Sequence, residues 1–300
     1  MVLTVCICTY NRADDLKETL KSIKGVAKKD EIELLIIDNN SNDGTDDICN
    51  SFASDFTFFR YCKELKQGLS HARNRGLNEA SGDWILYLDD DIQVEANTIA
   101  ECLDTIKNSR YEVFGGKDNP WFKYPRPEWF LESWIKNSLS YDKDTVLGKN
   151  EHLIGCVFCI KKSVCQELGG FNTSLGMIEK KIGYGEETDI QNRAKALGVD
   201  CVYTPSIVVK HLVPEYKFKI KWLLESGFVL GRDIVKTKKI NNETLSVLKY
   251  ATIASVQLLV HIISFTPMIL IQQMHYKTWF VKVFRKPIKW FSMSYSIVTK

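Results

Sequence analysis

No G-x-G-x-x-G or G-x-x-x-x-G-K-[ST] run follows any apolar segment of the 300 residues, which excludes the glycine-built phosphate cradles of dehydrogenases and P-loop enzymes. A bound phosphate therefore needs another counter-charge. Proline is scarce, at 7, with 17 glycines and no internal repeat or low-complexity tract, so collagen, coiled coil and extended disorder are excluded. Neither sign of charge dominates: 40 basic residues face 37 acidic ones. The balance is uneven along the chain, because residues from His211 onward carry 14 basic against 4 acidic side chains and the first 210 carry 26 against 33. An acidic body does not suit a phosphate-backbone binder, and no nucleic-acid partner is expected, whereas a basic, aromatic tail suits an anionic membrane surface.

The nine cysteines lack the regular spacing of a disulfide framework, and Cys6, Cys8, Cys102, Cys156, Cys159 and Cys201 lie in apolar runs. They read as buried thiols of a reducing compartment. Cys156 and Cys159 form a lone C-x-x-C inside LIGCVFCI, with no second pair and no nearby histidine at ligand spacing, which argues against zinc or redox chemistry there. Nothing before MVLTVCICTY resembles the charged start of a signal peptide, so a cytoplasmic body is expected.

The body alternates strand and helix signals. Val2 to Cys8 is a β-branched run, after which Asn11 stands at a capping position ahead of Leu16, Leu20 and Ile23 at helical spacing. Ile32 to Ile37 ends in the turn cluster DNNSNDGTDD, whose Thr45 can cap a helix toward Phe52. A strand over Phe56 to Tyr61, a helix over Ser70 to Ala80 and a strand over Trp84 to Leu88 complete four βα steps, predicting an α/β fold with a mostly parallel, Rossmann-like sheet flanked by helices. Further on, Pro120, Pro125 and Pro127 with Trp121, Trp129 and Trp134 predict a long ordered loop with an aromatic floor within Lys117 to Asn150. Ile154 to Ile160 predicts a strand, Gly185 to Leu197 a helix, and Val199 to Tyr203 and Ile207 to Lys210 two short strands.

In such sheets ligands bind at the carboxyl ends of the strands, which directs attention to Thr9, Asp38 and Asp89 to Asp91. Asp89 and Asp91 are two apart, so in extended chain their carboxylates point to one side and can share a divalent cation; a solvated turn is the alternative. Asp38 can bond a ribose or a base, or serve only its turn. Arg73, in SHARNRGL, can face a diphosphate or pyrimidine base, or be an exposed helix arginine. Glu186, Glu187 and Asp189 lie in the first turn of a helix, where negative charge is stabilised by free N–H groups, and a carboxylate placed there can also act as a general base. His211 can be a metal ligand or a structural histidine.

Taken together, TVCICTYNR, IIDNNSNDGT, ARNRGLNEASGDWILYLDDD, ELGGFN, GYGEETDIQNRAKALG and VVKHLVPEYK resemble, in this order, the blocks of the family 2 inverting glycosyltransferases of the GT-A fold, over about Leu3 to Gly231. The resemblance implies that Thr9 and Asp38 hold the nucleoside, that Asp89 and Asp91 form the metal-binding D-x-D with His211 as an additional ligand for Mg2+ or Mn2+, and that Glu187 is the catalytic base. With Arg73, Asp89 and Asp90, the expected nucleotide-sugar-binding set is Thr9, Asp38, Arg73, Asp89 and Asp90. A GT-A catalytic domain is expected over 1–215, with a nucleotide-binding half at 1–115 and an acceptor-side half at 116–215, followed by a basic helical region at 216–300. Two departures stand out. The family commonly has aspartate in place of Glu187, so the base stays open among Glu186, Glu187 and Asp189, and many relatives have asparagine in place of Val157. The implied reaction inverts the anomeric carbon of a UDP-type sugar as Glu187 deprotonates a glycan or glycolipid hydroxyl.

From Tyr250 to Tyr276, 27 residues contain no Asp, Glu, Lys or Arg, and TIASVQLLVHIISFTPMILI is long enough to cross a bilayer. With a cytoplasmic body, a crossing would place Lys277, Lys282, Arg285, Lys286 and Lys289 outside, against the positive-inside tendency. A re-entrant or interfacial helix, followed by a basic aromatic stretch on anionic headgroups at the cytoplasmic face, is the preferred reading; a single crossing and a soluble dimer-forming helix are the alternatives. Of the other functional classes, a membrane-docked nucleotide-sugar binder without turnover and a nucleotidyltransferase share the α/β site.

Overall fold

The computed structural model describes residues 1–300 apart from 27, 136–138, 180, 241–243, 272 and 300. Runs of apolar, β-branched residues need cover on both faces, and those of this chain build the interior of a sheet. In chain order the first elements are β1 (Leu3–Thr9), α1 (Ala13–Lys24), β2 (Ile32–Asp38), α2 (Thr45–Phe52), β3 (Phe59–Lys63), α3 (Leu69–Glu79), β4 (Trp84–Asp89), β5 (Ile92–Val94) and α4 (Thr98–Asn108). They are followed by β6 (Val113–Trp121), β7 (Thr145–Val146), β8 (Val157–Lys161), α5 (Lys162–Glu167), α6 (Glu186–Ala196), β9 (Cys201–Leu212), α7 (Ile220–Ile240), α8 (Val247–Leu270) and α9 (Tyr276–Val298).

The sheet runs β3-β2-β1-β4-β8-β6-β9-β5, with β7 also on β9. The expected parallel arrangement holds for β3-β2-β1-β4 and for β6 with β9; β8 joins β4 and β6 antiparallel, as β5 and β7 join β9. The register sets Thr9 beside Asp38 and Cys8 beside Asp89, so β1, β2 and β4 end level. Leu16, Leu20 and Ile23 of α1 are buried, as their spacing predicts. Against the sheet, α3 approaches so closely that a Cβ on Gly76 would stand 2.4 Å from Cys6 Sγ.

Several local expectations change. Asn11 does not cap α1. It lies at positive φ and ties two loops together, donating its N–H to Ser41 Oγ and accepting from Asn42 N–H, while Asp43 accepts from the Ala13 N–H at the helix start. Thr45 is the first residue of α2 rather than its cap, and its hydroxyl bonds Asp43. The third strand starts at Phe59, because Phe56 lies in a bend and stacks on Phe59. Residues 201–212 form one strand, with a register shift opposite Gly115 to Lys117 where two strands were expected. At that shift Gly116 approaches β9 so tightly that a Cβ would meet Ile207 O at 2.0 Å, which only glycine permits. β5, α4, β6, β7 and α5 were not anticipated, and Lys117 to Trp121 and Thr145–Val146, expected within the long loop, are strand.

The chain divides into two compact units. One comprises 1–121, 135–179 and 186–212 and contains the sheet; the other comprises 122–134, 180–185 and 213–300. In the first, two buried apolar clusters flank the sheet, one around Leu16, Leu34 and Ile99 and the other around Leu35, Tyr87 and Phe158. All nine cysteines are free thiols, seven of them buried.

In the second unit, Phe130 is buried edge-on against Trp134 and Phe218, so of the expected aromatic floor Trp129 and Trp134 lie here, whereas Trp121 ends β6 in the first unit. Gly227 and Gly231, on one face of α7, let α9 pack against backbone; a Cβ on Gly231 would meet Lys289 O at 2.1 Å. α8 is apolar, with mean hydropathy 1.9 over a window only 6% buried, and is long enough to cross a bilayer. Leu248, Leu259, Ile263 and Leu270 are among its exposed side chains.

Candidate functional site

β4 is an apolar strand that ends in three consecutive acids, and each of them is held differently. Asp89 and Asp91 each bring a carboxylate oxygen into one group with a His211 ring nitrogen, all within 4.8 Å of one another. Asp90 turns elsewhere, accepting from Thr9 Oγ1 at 2.7 Å and from Arg12 at 2.8 Å. Arg12 also reaches Asp91 Oδ2 at 2.8 Å, so a single guanidinium clamps two neighbouring carboxylates. The backbone of the turn is pinned from two sides. The Thr19 hydroxyl of α1 stands 2.8 Å from the Asp90 carbonyl and accepts from the Ile92 N–H, and the Leu212 N–H donates to Asp91 O.

Burial together with neighbouring charge shifts Asp89, Asp90, Arg12 and His211. Burial pushes Asp90 up to about 7, with Arg12 opposing and Asp91 adding to the rise. Burial likewise raises Asp89, against the Arg73 guanidinium. Asp90, followed by burial working in the opposite sense and Asp91, holds Arg12 firmly in its cationic form. For His211, burial disfavours the proton, yet Asp91 and its other neighbours raise the ring well above the ordinary histidine range.

Arg73 is buried rather than exposed. Its guanidinium bonds Glu186 Oε1 at 3.0 Å and Gly155 O at 3.3 Å, lies 3.6 Å from Asp89 Oδ1, and stacks over the Phe171 ring. α6 thereby starts at the acid turn. Burial, then the neighbouring Glu187 carboxyl, push Glu186 well above the usual carboxylate range. Asp189 is fully buried and paired with Arg193, whose guanidinium also holds the Leu168 and Gly170 carbonyls. Glu187 is half-buried, its Oε2 has no hydrogen-bond partner, and no salt bridge of Glu187 occurs among the described residues.

Beside the acids a cleft is lined by Thr9, Tyr10, Arg12, Asn39, Leu69, Asp89 and Asp90, together with Met177, whose carbonyl accepts from the Leu69 N–H, and Glu179. Asp38 is buried next to it, accepting from the Ser41 N–H and from Tyr61 Oη. Asn39 shapes the following loop: its amide donates to Glu64 O and Lys66 O and accepts from the Gly68 N–H. The structure thus brings Thr9, Arg73, Asp89, Asp90, Asp91 and His211 around one turn, and places Asp38 at the adjacent strand end. Arg12 and Asn39 escaped the sequence reading, although both stand directly beyond strand ends, in TYNR and IIDNN; that position was the available signal.

Residues 4–169, more than half of the chain, match the family described as glycosyl transferase family 2, and the protein belongs to that family. The glucosyl-dolichyl phosphate glucuronosyltransferase of Haloferax volcanii is 25% identical over 237 residues, 77% of this chain and 75% of that one. The mannosyltransferase PcManGT from Pyrobaculum calidifontis, solved with GDP-Man and Mn2+, superposes with a TM-score of 0.60 at 17% identity, covering 99% of this chain and 75% of its own. S. aureus TarS 1-349 with UDP-GlcNAc gives 0.58 at 16% identity, covering 94% and 79%. These likenesses establish the GT-A fold, a mixed sheet flanked by helices. Among the curated relatives, the share of their length that the chain spans runs from 31% to 75%.

Replacing Arg73 by methionine strands Glu186 and the Gly155 carbonyl in a buried place, and removing one partner of such a pair costs about 3–5 kcal/mol. Arg73→Met is expected to lower the urea midpoint accordingly, and the double variant with Glu186→Gln to lose less than the sum of the two single changes. A midpoint equal to that of the parent protein would remove the structural role of Arg73.

Proposed function

We propose that the protein is an inverting glycosyltransferase that moves a sugar from a nucleotide sugar of the UDP class to a hydroxyl of a glycan or lipid-linked acceptor. The observation that carries this reading is the gathering of Asp89, Asp91 and His211 beside a cleft at the carboxyl ends of parallel strands. Two carboxylates and an imidazole converging within ligand distance are a donor set that fits Mn2+ or Mg2+, with positions left for diphosphate oxygens and water. When bound there, such an ion supplies charge neutralisation for a departing nucleoside diphosphate.

The remaining steps belong to the chain's own side chains. Thr9, Asp38 and Asp90 are assigned to the nucleotide end of the cleft, with Arg12 as the cation nearest any diphosphate. Arg73 is assigned to holding Asp89 and Glu186 in place. Of the three acids at the start of α6, Glu186 and Asp189 are each committed to an arginine, which leaves Glu187 to accept the proton of the acceptor hydroxyl. The residues up to 215 are assigned to this chemistry, and the helices beyond to attachment. The exposed apolar side chains of α8 and the cations of α9 support docking on an anionic membrane at its cytoplasmic face, where lipid-linked acceptors reside.

Transfer assays with UDP-sugars and Mn2+ or Mg2+ should release nucleoside diphosphate; release of pyrophosphate would instead indicate nucleotidyl transfer. Glu187→Gln should reduce turnover by about 10²–10⁴-fold while keeping protection against thermal unfolding by the nucleotide sugar. An unchanged rate would move the base elsewhere. Asp91→Asn should lose metal-dependent transfer with the far-ultraviolet circular dichroism unaltered, and normal turnover by that variant would refute the metal role. On anionic vesicles the full chain should resist release by high salt; complete release by salt alone would argue against apolar insertion of α8.

A further inference from the structure

His211 stands between two carboxylates rather than beside one. Its Nε2 lies 3.3 Å from Asp91 Oδ1, and its Nδ1 lies 3.9 Å from Asp118 Oδ2 on the other side. On that second side the ring is joined by Cys156, and one ligand atom from each of Asp118, Cys156 and His211 lies within 4.8 Å of the others.

We infer that Asp118, Cys156 and His211 form a second cation site, suited to a thiophilic divalent ion of the zinc class, and that this site competes with Asp89 and Asp91 for the His211 ring. The three ligands come from adjoining strands. Pro120 of β6 is the register partner of His211 on β9, so Asp118, two residues earlier, shares its face. Cys156 directly precedes β8, which pairs with β6 on its other edge. A second observation points to a ligand: Asp118 Oδ1 is buried and has no hydrogen-bond partner.

The ligand chemistry separates the two sites. A sulfur, a nitrogen and a carboxylate oxygen in a three-ligand set leave one position open on a tetrahedral ion, the arrangement that zinc adopts and that Mg2+ disfavours. A bound ion takes the place of the Cys156 thiol proton, which leaves to solvent. Ions on opposite sides of His211 would make different demands on the ring. The expected consequence is inhibition by zinc of a reaction run with Mn2+ or Mg2+; that consequence, unlike the site itself, rests on the function proposed above.

Titration of the full chain with Co2+ tests the site without any assay of transfer. The parent protein should develop a thiolate-to-cobalt charge-transfer absorption at one equivalent, removed by Zn2+ and not by Mg2+. Cys156→Ser should abolish the band, and Asp118→Asn should weaken Co2+ binding by about tenfold or more, as the loss of one ligand does. Absence of the band in the parent protein, or its survival in Cys156→Ser, would overturn the site. Because eight other cysteines are present, Asp118→Asn carries equal weight: unchanged affinity in that folded variant would equally overturn it. If Co2+ binds as described but no nucleotide sugar is turned over, the proposed function fails and the cation site stands.

Discussion

Three consecutive carboxylates at the end of a buried strand are unstable alone, and the structure around them is organised to make their proximity tolerable. Each has a different set of partners, with Arg12 common to two of them: Asp89 faces Arg73, Asp90 is shared by Thr9 and Arg12, and Asp91 lies between Arg12 and His211. Those partners come from α3, from the end of β1 and the loop after it, and from the end of β9, so the electrostatics of one turn draw together elements spread over two hundred residues. A second buried carboxylate shows the contrast. Glu33, on β2, accepts from Thr4, the Ser81 N–H, the Ser81 hydroxyl and Arg60, and these hydrogen bonds hold it below the usual carboxylate range despite burial. Glu33 is satisfied within the protein, whereas Glu186, Glu187 and Asp118 each retain an oxygen with no hydrogen-bond partner.

The layers of the fold were readable because burial imposes a period. Leu16, Leu20 and Ile23 mark α1, and WILYL marks β4, since each run must hide its apolar side. Local capping was not readable, because the polar groups at the helix starts bond across loops: Asn11 meets Ser41 and Asn42, and Ala13 meets Asp43. The strand over residues 201–212 was read as two, over Val199 to Tyr203 and Ile207 to Lys210, whereas a register shift against β6 lets the chain stay extended between them.

The acids of the site were legible one by one, as were Arg73 and His211, whereas Arg12 and the pairing of acids with cations were not. Arg12 is 78 residues from Asp90 in the chain, and only the parallel pairing of β1 with β4 puts the two together. Cys156 is a sharper case. The lack of a second cysteine pair and of a nearby histidine at ligand spacing argued against metal chemistry, yet a histidine 55 residues further on stands beside it once β8, β6 and β9 are aligned. Spacing rules for ligands assume that neighbours in sequence are neighbours in space, which a mixed sheet does not respect.

Anchoring of the acid turn and shaping of the cleft wall use separate sets of bonds. Thr19 and the Leu212 N–H hold the turn, while the Asn39 side chain, with the Asp38 carbonyl, gathers Glu64, Lys66 and Gly68. The two sets nevertheless meet: the Asn39 N–H donates to the carbonyl of Thr9, which holds Asp90, and Gly68 opens the helix whose Arg73 faces Asp89. An exchange within 64–68 therefore reaches the carboxylates through two short relays, and variation of that wall is coupled to the ionic geometry.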